Sequence, residues 1–332
     1  MEAAINKTDK PVKKGRFFSF PLFKQTLKSS WVLWLVMTLG SAGIFFVINV
    51  VVFSKDIFVN INMDSVSVYV KDEGLSWLQI LGLLDKMGFS LTRIEVMSRI
   101  DLNSILNELV YKIAGVLLPM IYVMITANSL IASQVSSGSM AYVLSTPTSR
   151  KTVLRTHALY MISSVLAMYV VITAVAMGSE GLAGLIRIHN GGSSNMIAAR
   201  TLLYCFASFA SMVALTGVCF GASAFFNKAN YSTAVGGGVC ILSFLGTILG
   251  LFGNKVFVSV GIGVQAMSIF NYMSIFTLID TENISNFVKA THNITGGIYN
   301  LTWLWEILVL FAIGAIFALI GSIRFTKKDL PL

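Results

Sequence analysis

Six stretches of this chain are too long and too uniformly apolar to be ordinary core elements. They cover residues 31–53, 109–131, 159–178, 202–226, 234–252 and 301–323. Crossing the hydrocarbon of a bilayer takes roughly 20 apolar residues in a helix. Only helices and closed barrels satisfy their backbone polar groups in lipid, and these runs lack the alternation of barrel strands. Composition agrees, with 12% charged residues against about 25% in soluble domains. The expected fold is an all-α integral membrane protein with six transmembrane helices. Cys205, Cys219 and Cys240 all fall inside the runs and read as small packing residues rather than disulfides or metal ligands.

Charge gives the orientation. One side of the six spans would carry 14 basic and three acidic residues; the other would carry nine basic and 12 acidic, with Lys112 at a boundary. The positive-inside rule then puts both termini in the cytosol. No cleaved leader is expected, because the first apolar run is long and no small-residue cleavage site follows it. The tail and residues 17–30 are basic. Pro21 suits a first helical turn, and Leu22, Phe23, Thr26 and Leu27 share a face away from Lys24 and Lys28. This predicts an in-plane amphipathic helix on the inner leaflet, ending near residue 30. Residues 31–332 then form one six-span domain.

Outside the spans, residues 54–108 read as a small outer cap. Val66, Val68 and Val70 alternate with polar residues, which suggests a strand. The glycine-rich stretch 179–199 reads as a flexible outer loop. Residues 256–279 are apolar, yet Gln265, Asn271 and Gly261-Ile262-Gly263 interrupt them. A seventh crossing would also carry the basic C-terminal end outside. A re-entrant or outer helix pair before the last span is preferred, with 280–300 as an external loop.

The hairpin 132–157 is the most informative polar segment. It lies between spans two and three on the basic side. Thr146-Pro147-Thr148 ends a helix or turns the chain, and Ser149 or Thr148 can cap the next one. Arg150, Lys151 and Arg155 sit in headgroup range. Met140, Val143 and Leu144 form an apolar face suited to a groove on another protein. A short structured foot between two spans is a place where an outside motor could push.

At this point the chain resembles a known family, the type-2 permeases of ATP-binding-cassette exporters. The likeness rests on Gly138-Ser139-Met140-Ala141-Tyr142-Val143-Leu144-Ser145-Thr146-Pro147-Thr148-Ser149-Arg150, which is similar to that family's Gly, paired-Leu, Ser-Thr-Pro and Ser-Arg segment. It rests also on the ending Phe325-Thr326-Lys327-Lys328-Asp329-Leu330-Pro331-Leu332 and the entry Phe20-Pro21-Leu22-Phe23-Lys24-Gln25. The resemblance implies that 134–144 is a coupling helix docking on a separate ATPase. Its contact residues would be Gln134, Gly138, Met140, Tyr142, Val143, Leu144, Arg150 and Lys151. One departure is informative: the family's glutamate near 134–137 is absent, and Gln134, Ser136 or Ser137 would have to supply its hydrogen bonds. The resemblance further implies two permease halves, identical or sister chains, with cargo passing beside spans two and five. Asn128, Ser243 and Thr247 are candidate wall residues. The chains resembled are bacterial, which implies a plasma-membrane location.

The chain has no Gly-x-x-x-x-Gly-Lys-Ser/Thr loop, so it should bind no cofactor itself and take ATP and Mg through its partner. His157, His189 and His292 share no metal-ligand spacing, and no nucleophile elbow occurs. Glu306, one turn into span six, is a candidate gate or interfacial anchor. The spans lack the buried charge chain of a proton-driven carrier, which suits an external energy source and an amphipathic cargo: peptide, antibiotic or lipid-like. Two other classes stand beside this reading. One is a sensor or assembly scaffold without transport. The other is a membrane-embedded lipid-modifying enzyme, for which the necessary His, Asp or Ser cluster is missing. Glycine pairs at 217/221 and 246/250, and the run 236–238, suggest close helix packing within the chain. Nucleic-acid binding is a poorer account of the positive charge than an anionic leaflet.

Overall fold

The computed structural model describes residues 18–51, 57–62, 65–70, 110–145, 148–189, 198–253, 264–292 and 298–327. Its long helices are α1 (Phe20–Val51), α2 (Gly115–Leu130), α5 (Arg150–His189), α6 (Ala198–Phe225), α7 (Ala229–Leu251) and α9 (Thr302–Lys327). Between them lie α3 (Ala132–Ser136), α4 (Met140–Ser145), two 3-10 helices (Gln265–Met273 and Ile275–Leu278) and α8 (Thr281–Thr291). A π-helical turn, Val110–Ala114, leads into α2. Among the described residues six helical segments are long and apolar enough to span a membrane. They coincide with the six runs read from the sequence, each extended by some residues at one or both ends. The one piece of sheet among the described residues is a hairpin of β1 (Ile57–Asn62) and β2 (Ser65–Val70), with Ile57 opposite Val70. It matches the strand expected at 65–70; the rest of the outer cap, 71–108, lies outside the described residues.

The bundle is built around α6. In the most apolar stretch of that helix 72% of residues are buried, against 22% for α1 and for α9. Small residues allow this. A Cβ on Gly217 would fall on the backbone of Gly314, and one on Gly221 on the backbone of Phe317. Conversely, Gly314 and Gly321 on α9 face the backbone of α6 at Val213 and Gly221. In lipid, where no hydrophobic force drives helices together, such backbone contact is a main source of association. The crossing is within one chain, as the glycine spacing suggested.

Backbone irregularities are repaired by distant side chains. Pro119 has no N–H to give the Gly115 carbonyl, four residues back. The Tyr169 hydroxyl on α5 donates to that carbonyl instead, at 3.1 Å. Ser208 on α6 donates to the Tyr111 carbonyl at 3.1 Å, in the π-helical turn. Phe45, Tyr111 and Tyr204 stack in series beside it, with centroids 5.3 and 5.0 Å apart.

Four expectations need correction. First, the in-plane helix is not a separate element: α1 runs unbroken from Phe20 to Val51. Pro21 sits in its first turn, and no Gly or Pro from 22 to 39 interrupts the hydrogen-bond ladder. Ser19 donates its N–H to Thr156 and Trp34 its indole to the Ser164 carbonyl, so the early turns lie along α5. Second, the supposed loop after residue 178 is helical to His189 despite its glycines. Arg200 pairs with Glu180 at 3.3 Å and Thr201 donates to the same carboxylate, which ties this extension to the start of α6. Third, 280–300 is not all loop. Asp280 caps α8, accepting the Asn283 N–H at 2.9 Å, and Ile284 and Val288 are buried on one face. Fourth, the single coupling helix expected over 134–144 is two short helices.

Of the segment 256–279, where a re-entrant or outer helix pair was expected, residues 265–278 hold the two 3-10 helices, broken at Ser274, and 256–263 lie outside the described residues. Gly246 and Gly250 of α7 let this segment approach: a Cβ on Gly246 would lie 3.1 Å from the Phe270 carbonyl oxygen, and one on Gly250 would strike Asn271.

Candidate functional site

The foot begins where α2 stops. Ile131 leaves the helical region, with φ −126° and ψ −65°. Ser223, reaching across from α6, bridges the gap. Its hydroxyl donates to the Ala127 carbonyl at 2.7 Å and accepts the Ala132 N–H at 3.0 Å. The break is thereby held by the most central helix of the bundle.

Past α3 the chain reverses at Gly138, whose φ of +75° disfavours any residue with a Cβ. This turn splits the expected coupling helix. Hydroxyls knit it from inside: Ser137 and Ser139 lie 3.0 Å apart and both donate to the Gln134 carbonyl, while Ser136 donates to the Ser133 carbonyl. Ser136 and Ser137 thus give their hydroxyl protons to the foot's own backbone while staying exposed. The Gln134 side-chain oxygen is buried without a partner. After α4, Thr148 donates to the Val143 carbonyl at 3.1 Å, and Ser149 caps α5 by accepting the Thr152 N–H at 3.2 Å. The cap is one of the two anticipated. Thr146 and Pro147 lie outside the described residues.

The two faces of the foot differ from expectation. Met140 is 2% exposed and joins the chain's own core, as does Val135, with half-buried Val143 packed against it. The apolar face meant for a partner thus anchors the foot to the bundle. Tyr142, 81% exposed, projects the other way. Lys151 is exposed and Arg150 half-exposed at the start of α5. Tyr142 and the basic pair are the outward features; nothing is described of the Leu144 side chain.

Basic side chains cluster at this end of the bundle. Arg324 lies over the Phe225 ring at 5.5 Å and Lys228 over Tyr231 at 5.7 Å. Phe325, from the C-terminal motif, is fully buried and pins the end of α9. Residues 328–332 of that motif lie outside the described residues. His157 is also buried, and neither ring nitrogen has a partner.

The candidate wall residues do not form one surface. Ser243 and Thr247 are buried and committed to the 3-10 segment: Ser274 donates to the Ser243 carbonyl at 2.7 Å, and its hydroxyl lies 2.6 Å from that of Thr247. They act as a latch between α7 and that segment. Asn128 is half-buried, with its side-chain oxygen unpartnered. Glu306 is half-buried near Asp280 and Lys112, and one carboxylate oxygen lacks a partner, as does the Trp303 indole beside it. The outer latch and α8 were missed from sequence; Asp280 followed by Ile284 and Val288 was the available signal for α8. Cys219 and Cys240 are free and buried, their sulfurs 3.4 Å apart between α6 and α7. Among the described residues no group of His, Cys, Asp or Glu could hold a metal ion.

The sequence profile described as ABC-2 family transporter protein matches residues 23–330. No curated protein and no solved structure matches the chain.

Proposed function

The chain belongs to the ABC-2 family of transporter proteins, as a multi-pass membrane permease, and from that premise we propose that a separate ATPase drives it as an exporter. The ATPase docks on the foot at residues 131–151 and holds ATP and Mg itself. The chain is the moved part and does no catalysis of its own. It works as a pair, with a second copy or a sister permease, in a bacterial plasma membrane with both termini in the cytosol.

The observation that carries this reading is the construction of the foot. Its inner face is fastened to α6 through Ser223 and to the core through Met140 and Val135. Its outer face presents Tyr142 and Lys151. A push at Tyr142 would pass to the central helix without slack, because interfaces packed in this way shift between discrete arrangements rather than deform. The interior also fits the cargo proposed. The polar side chains buried among the described residues are Ser, Thr, Asn and His, with no buried Asp, Glu, Lys or Arg. This favours an external motor over a charge relay, and an amphipathic peptide, antibiotic or lipid-like molecule as the class of cargo.

Affinity-tagged chain, extracted in mild detergent, should bring an ATP-hydrolysing subunit in stoichiometric amount. Replacing the exposed Tyr142 and Lys151 together by Ala, with buried Met140 kept, should abolish this while the chain stays folded and monodisperse. A folded double variant that keeps the ATPase would reject the docking assignment.

A further inference from the structure

A narrow groove runs between α1 and α5 near the basic end of the bundle. Phe23, Leu27, Trp31 and Trp34 line one wall, Tyr160 and Ser163 the other, and its volume is about 260 Å³. That is below the range of about 300–1,000 Å³ usual for ligands enclosed whole, so only part of a larger molecule would sit in it.

The polar atoms around the groove are already committed. The Trp34 indole donates to the Ser164 carbonyl at 2.9 Å, and Ser163 and Ser164 donate to carbonyls of their own helix. The Tyr160 hydroxyl lies 3.4 Å from that of Tyr122, inside the bundle. The walls therefore offer hydrocarbon and aromatic rings, which select an apolar chain rather than a hydrogen-bonding solute. The rim is different. Lys24 and Lys28 are exposed on α1, each the residue after a groove-lining one and so about 100° further round the helix, flanking the wall rather than lining it; Lys151 is exposed at the start of α5. Residues 18–34 and 148–167 contain no Asp or Glu. An apolar slot under a rim of one sign of charge is complementary to an anionic amphiphile.

We infer that this groove is a site for an anionic glycerophospholipid of the bilayer, with one acyl chain between α1 and α5 and the phosphate at Lys24 and Lys28. The bound chain would brace α1 against α5, the helix that leads out of the foot. Contact along the apolar walls alone would not discriminate between headgroups; recognition at the two lysines would.

Trp31 and Trp34 report on it directly. Full-length chain with Trp77, Trp303 and Trp305 changed to Phe is placed in nanodiscs containing a fixed fraction of lipid brominated along one acyl chain. The quencher is either phosphatidylglycerol or phosphatidylcholine. Brominated phosphatidylglycerol should quench at least twofold more strongly at low mole fraction. K24Q/K28Q, which changes only exposed side chains, should bring the two lipids to equality. Ser163→Phe, which fills the groove from α5, should remove the excess while helicity is unchanged. Equal quenching by both lipids in the parent protein would overturn the inference. So would an excess that survives K24Q/K28Q, since the headgroup would then be read elsewhere.

Discussion

The Ser223 hydroxyl closes the gap where α2 breaks into the foot. Without it the Ala132 N–H, at the break beyond the end of α2, would be buried and lose the partner it has. Leaving a buried polar group unsatisfied costs about 1–3 kcal/mol. Ser223→Ala should therefore lower the thermal unfolding midpoint in detergent, whereas Ser129→Ala, at an exposed position on the same side of the foot, should leave it unchanged. An unaltered midpoint for Ser223→Ala would remove Ser223 from the account. Residues of this kind were beyond reach from sequence. Ser223 and Tyr169 act on carbonyls 96 and 54 positions away, and no local pattern marks a serine or tyrosine that repairs another helix. The three cysteines were legible, because an apolar run leaves a thiol little to do but pack. Met140 was misread for a related reason. Apolar spacing shows which residues share a face, but not whether that face meets this chain or another.

Helices show the same division. Six apolar runs were enough to place six spans, since the length needed to cross lipid is a physical constant of the bilayer. Their ends were not legible. The early turns of α1 and the glycine-rich end of α5 stay helical through ties to other elements, from Ser19 and Trp34 to α5 and from Glu180 to Arg200 and Thr201. Glycine costs about 1 kcal/mol per residue in a helix by intrinsic propensity, and such ties can outweigh it. Where glycine faces another backbone, the sign reverses. Gly217→Ala places a methyl against Gly314, and overpacking of this sort costs about 1–3 kcal/mol. Gly238 has open space around its Cβ position, so Gly238→Ala should be neutral or stabilising by up to about 1 kcal/mol. Unfolding measured for the two variants side by side should separate them. Equal effects would mean that α6 and α9 do not cross where described.

At the scale of the whole molecule, an asymmetry links fold to function. One end of the bundle carries a foot that is rigidly fastened inward and bare outward. The other end carries the Ser243–Thr247–Ser274 latch, the Glu180–Arg200 pair and α8. Membership of the ABC-2 family accounts for this arrangement if force enters at the foot and is passed through α6 to the far end. A photo-crosslinking amino acid placed at Tyr142, and separately at Tyr272, which is 92% exposed on the 3-10 segment, tests that in living cells. Position 142 should form an adduct with a nucleotide-binding subunit, identified by mass spectrometry, and position 272 should form none with it. An adduct with that subunit from 272 and none from 142 would contradict the account, because the motor would then sit on the opposite side of the membrane from the foot.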